Sequence, residues 1–79
     1  MNQQEIVADF EKKMGWSKTE IKTVLEFLKE DAYALDEKNL KHKLVDVFFQ
    51  AIQLANRLKL DLDAELKIHM KEAEKKYKK

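Results

Sequence analysis

The sequence predicts an all-α fold: one compact domain of four helices over residues 1–79, with a central helix over about 40–58, assembled as a dimeric helical bundle. Three observations carry this. Proline is absent and there is one glycine, Gly15, while Ala, Leu, Glu and Lys are plentiful, a composition that favours helix throughout. Apolar residues recur at steps of three and four, the spacing of one helical face. The segment over 40–58 has more apolar surface than one neighbour can cover.

The first helix is predicted over about 2–14. Ile6, Phe10 and Met14 form its stripe, with Val7 beside them. Gly15 ends it, being the one residue that enters the left-handed conformation without strain. Ser17-Lys18-Thr19-Glu20 matches a capping box, in which hydroxyl and carboxylate satisfy each other's orphan amides. Trp16 and Ile21 stand at the positions of a hydrophobic staple around it. The second helix then carries Ile21, Val24, Leu25, Leu28, Ala32 and Leu35 on one stripe. Lys22 and Glu26 can pair on its outer side, and Glu26 and Glu30 repel mildly. A short polar connection, DEKN at 36–39, follows.

The third helix has two apolar stripes. One is Leu40, Leu44, Val47, Phe48, Ala51, Leu54, Ala55 and Leu58; the other is Val45, Phe49 and Ile52. A surface helix in a small monomer needs one. Each stripe residue fully buried contributes about 1.5–3 kcal/mol, so the second stripe predicts a homodimer. The remaining wedge is Lys43, Asp46, Gln50, Gln53 and Arg57, which reads as a solvated edge. After a tight turn at 59–61, Asp61 caps a fourth helix, with Asp63 and Glu65 in its first turn, where the helix dipole favours acids. Leu62, Leu66, His69, Met70, Ala73 and Tyr77 form its inner side, which makes His69 a partly buried packing residue. The KKYKK end reads as a solubilising terminus whose cations suit the dipole.

Composition narrows the chemistry. A chain of 79 residues buries a modest fraction of its surface. With no cysteine and two histidines, it has no disulfide and no expected zinc site. Its stability must come from helix packing or oligomerisation. Sixteen Lys and Arg against fifteen Asp and Glu leave a net charge of +1, so charge does not point to nucleic acid or to a membrane surface. No apolar run nears the roughly 20 residues that span a bilayer. The opening MNQQEIVADF does not have the pattern of a secretory signal, so the expected location is cytoplasmic. No nucleophilic triad can be assembled, since the single serine, Ser17, is assigned to a cap. One glycine leaves no phosphate-binding loop.

Three stretches carry a family resemblance: Leu44-Val45-Asp46-Val47-Phe48-Phe49, then Leu54-Ala55-Asn56-Arg57-Leu58-Lys59-Leu60-Asp61-Leu62, then Lys75-Lys76-Tyr77. With Phe10-Glu11-Lys12-Lys13-Met14-Gly15-Trp16 upstream, the chain resembles the MazG-like nucleoside triphosphate pyrophosphohydrolases over most of its length. The resemblance implies a single MazG-like domain, a nucleoside triphosphate as partner, and Mg²⁺-dependent cleavage to a monophosphate and pyrophosphate. It places the metal on two facing pairs of acids, since spacing of three puts both members of a pair on one helical side and Mg²⁺ takes oxygen ligands. In this sequence the positions that correspond are Glu30, Asp31 and Asp46, with Ala34 and Lys43 where two further acids are expected. A second register uses Glu26 and Glu30. Ala73 stands where members often carry an Asn that contacts the nucleotide.

Two functions stay open. One is the pyrophosphohydrolase, with Glu30, Asp31 and Asp46 on the metal and missing ligands supplied by Glu26 or a second subunit. The other is a catalytically inactive dimeric helical module that binds a protein or nucleotide. Apart from the resemblance, Glu30-Asp31 also reads as plain surface charge.

Overall fold

The computed structural model describes residues 2–77. Four helices follow in order, α1 (Gln3–Met14), α2 (Ile21–Tyr33), α3 (Leu40–Leu58) and α4 (Leu62–Tyr77), and no strand occurs among the described residues. The all-α, four-helix reading therefore holds, with α3 central: α2 and α1 both pack on it, and α4 packs closely on none of the other helices. Lys78 and Lys79 of the KKYKK end lie outside the described residues.

Local chemistry sets most boundaries. Asn2 Oδ1 accepts the Glu5 amide at 2.9 Å and caps α1. Gly15 ends it in the left-handed conformation, φ 75°. The 36–39 connection closes on itself: Asp36 Oδ1 accepts the amides of Lys38 and Asn39, and Asn39 returns bonds to the Asp36 amide and the Ala34 carbonyl. Asp61 Oδ1 accepts the Ala64 amide at 3.2 Å, as the cap reading expects.

Lys59 ends α3 in the left-handed region at φ 58°. A Cβ there costs about 1–2 kcal/mol, while glycine adds about 0.5–1 kcal/mol of chain entropy to the unfolded state. Lys59→Gly is expected to stabilise the chain by about 0.5 kcal/mol, a rise of about 2–4 °C in Tm for a domain this size, read from a thermal melt followed by circular dichroism.

Three expectations are corrected. The capping box does not form: α2 starts at Ile21, its N-cap is Glu20, and that cap makes no side-chain bond. Residues 16–19 form a turn instead, closed by the Thr19 amide on the Trp16 carbonyl, and both residues' carbonyls are held by Arg57. A long-range contact thus outweighs a local cap. On α1 the inward line is Val7 and Glu11, both buried, while Ile6, Phe10 and Met14 are about half exposed. Finally, α4 buries none of its residues, and His69 is exposed.

The apolar core is small: among the described residues Val7, Val24, Ile52 and Ala55 are the buried hydrophobic ones. Phe10 extends it, edge-on to Trp16 and to Phe49 at centroid distances of 5.5 and 5.8 Å.

Candidate functional site

The site suggested by the sequence is built from the polar wedge of α3. Lys43, Asp46, Gln50, Gln53 and Arg57 recur at steps of three and four, so one side of the helix carries all five. That side is not a solvated edge. Most of it faces α1 and α2, which supply the matching carboxylates.

At the C-terminal end of α3, Arg57 meets Glu11 of α1. Nη1 donates to Oε1 at 2.8 Å and Nη2 donates to Oε2, a forked pairing that only a guanidinium makes. Gln53 Nε2 adds a third bond to the same carboxylate at 3.1 Å. Glu11 is 2% exposed. The guanidinium also holds the chain between α1 and α2: Nη2 donates to the Trp16 carbonyl at 2.9 Å and Nε to the Thr19 carbonyl at 3.0 Å. One side chain therefore joins α3 to the body of α1 and to both ends of the following turn.

Burial acts to raise the Glu11 pKa, but the bonds from Arg57 and Gln53, with the charge of Arg57, outweigh it and hold the carboxyl below its ordinary value of 4.5. A carboxyl lowered on folding contributes stability that is complete above the unfolded value. That contribution disappears as pH falls through the folded value. Stability is therefore expected to fall on acidification below about pH 4.5, and Glu11→Gln should flatten that slope in urea titrations run at stepped pH.

One turn and more toward the start of α3, the wedge meets α2. Lys43 Nζ lies 2.8 Å from Asp31 Oδ1, and Gln50 Nε2 donates to Asp31 Oδ2 at 2.7 Å. Both oxygens of Asp31 thus already accept a bond. The bond from Lys43 lowers the Asp31 pKa most, with Gln50 next, and the same contact raises the pKa of Lys43.

The acids named from the sequence do not converge. Asp31 is turned into the α2–α3 seam. Glu30 and Glu26 are exposed on α2. Asp46 is on α3, where its Oδ2 lies 3.5 Å from Nε2 of the exposed His42 one turn before. Among the described residues no group of three or more His, Asp and Glu side chains is placed to hold a metal ion. Glu30, Asp31 and Asp46 therefore do not fit an Mg²⁺ centre within one chain. An ammonium group takes the place beside Asp31 that a divalent cation would need, and like charges that close repel strongly.

Glu11 is the site residue that periodicity alone does not reveal. Its one signal is position: it stands four residues after the inward Val7, hence on the buried line of α1.

Comparison of the chain with family models, curated proteins and solved structures finds no match.

Proposed function

We propose that this chain is a non-hydrolysing helical module that works by association, as a homodimer, with its polar seam serving to hold the helices together. The observation that carries the reading is the ion pair of Lys43 with Asp31, 2.8 Å apart. It supplies a protein cation where magnesium chemistry would require a vacant acidic cradle. Gln50 adds a second bond to Asp31, and Gln53 and Arg57 are spent on Glu11 and on the carbonyls of Trp16 and Thr19. These are contacts that fix helix positions, and they engage both oxygens of Asp31 and of Glu11.

A second reading, the MazG-like pyrophosphohydrolase acting on a nucleoside triphosphate with Mg²⁺, has one observation in its favour. Asp31 of α2 does face the wedge of α3, at the place where the resemblance puts its paired acids. Under that reading a partner subunit would have to bring further carboxylates and displace Lys43.

Assay of pyrophosphate release from a panel of nucleoside triphosphates with Mg²⁺ separates the two. The expected result is no release, together with a Tm unmoved by Mg²⁺. Release from any nucleotide, abolished by Asp31→Asn, would overturn the module reading in favour of the enzyme. Light scattering on the eluting protein tests the homodimer.

A further inference from the structure

The surface area is large for the mass. A compact monomer of 9.4 kDa exposes about 5,000 Å², and this chain exposes 6929 Å². Its radius of gyration, 14.5 Å, exceeds the roughly 12 Å of a globule of its length. The excess of about 1,900 Å² is more than the ≈ 800 Å² that each partner gives to a standard interface.

Two apolar surfaces contribute to it. On α3, Leu44 is 50% exposed, Val45 64% and Phe48 49%, with Leu40 and Leu58 also open. Leu40, Leu44, Phe48 and Leu58 lie across the helix from Gln53, and Val45 stands to one side of them. On α4, Leu62, Leu66, Met70, Ala73 and Tyr77 recur at steps of four, four, three and four, which places them within one arc of about 80°. None of them is buried, and Leu66 and Met70 are 56% and 60% exposed. The two surfaces match in length: α4, with 16 residues, is about 24 Å long, and Leu44 and Leu58 stand about 21 Å apart along α3.

Within one chain they do not meet. Gln4 holds the start of α4 toward α1: its Oε1 accepts the Leu62 amide at 2.7 Å, and its Nε2 donates to the Leu60 carbonyl at 2.7 Å and to Asn56 Oδ1 at 3.1 Å. From that anchor α4 runs off without packing closely on its own α3.

We infer that α4 is an exchanged arm, and that each chain seats the Leu62–Leu66–Met70–Ala73–Tyr77 stripe on the α3 ridge of a second copy. This rests on the homodimer proposed above and gives it a geometry. A chain that carries both a ridge and an arm, held apart, satisfies both at once when a two-fold axis relates two copies. The exchange closes after two chains and leaves neither surface over. A second copy covers both surfaces with a single contact type.

The test is light scattering with size-exclusion chromatography on the full chain, beside two double variants, Leu66→Lys with Met70→Lys on α4 and Leu44→Lys with Phe48→Lys on α3. None of these four positions is buried, so each variant should keep its helical circular dichroism. The expected result is a wild type of twice 9.4 kDa and both variants at half that mass. The absence of cysteine allows a direct check: under oxidation, a mixture of Phe48→Cys and Met70→Cys chains should give a disulfide-linked pair containing one of each. A dimer lost with the α3 changes but indifferent to the α4 changes, with no mixed disulfide, would overturn the arm and leave the homodimer standing. A monomeric wild type would overturn both.

Discussion

Arg57→Met is expected to cost about 3–5 kcal/mol, the usual penalty for leaving one member of a buried ion pair without the other. Glu11 is the member left behind, 2% exposed and with Gln53 as its remaining side-chain partner. The carbonyls of Trp16 and Thr19 lose their donor in the same step. In a chain this small that loss is a large part of the total stability. Urea denaturation followed by circular dichroism should show a midpoint far below wild type, or no folded baseline. Pairing the change with Glu11→Leu removes the stranded carboxylate and should recover most of the loss, since an apolar pair of similar volume is often neutral. The recovery separates this account from a merely steric role for Arg57, under which the second change would add to the damage.

Ile52→Ala should cost about 2–5 kcal/mol. Ile52 is among the largest fully buried side chains and, among the described residues, one of four buried hydrophobic ones. It sits on α3 where α1 and the start of α4 come together, lining a hollow with Gln4, Ile6 and Leu62. With so few such residues, nothing nearby can take over the lost contacts. The same truncation at half-exposed Leu44 should move the midpoint by less at low protein concentration. At high concentration the Leu44→Ala deficit should grow, because association stabilises the folded chain by mass action. Urea midpoints at two concentrations, tenfold apart, read both effects.

Much of the architecture was visible in the sequence, because helix-forming composition and steps of three and four depend on neighbours along the chain. Gly15, Asp61 and the 40–58 helix are cases in which local chemistry decides. The capping box at Ser17 failed because Arg57, far away in sequence, holds the backbone between α1 and α2. The rotation of α1 was hidden for a related reason. Ile6, Phe10 and Met14 make the more apolar stripe, yet Glu11 has a guanidinium waiting opposite, and charge complementarity across helices leaves no trace in hydrophobic spacing. The wedge of α3 was misread likewise: five polar residues on one side suggest water, and only the carboxylates of Glu11 and Asp31 turn that side inward. Of the candidate metal acids, the sequence already carried the decisive sign, a lysine at position 43, but not that its ammonium reaches Asp31.

The pairing of Arg57 with Glu11 spans 46 positions in the chain, whereas Lys43 and Asp31 are 12 apart. Closing the longer loop costs more entropy before any contact rewards it. The α2–α3 hairpin can therefore form early and by itself, and α1 must dock on it afterwards as a separate cooperative unit. In the native protein the same order runs backwards. The amides of α1 should open to hydrogen exchange while those of α2 and α3 stay protected, so that the helix at the start of the chain releases before the pair it latches.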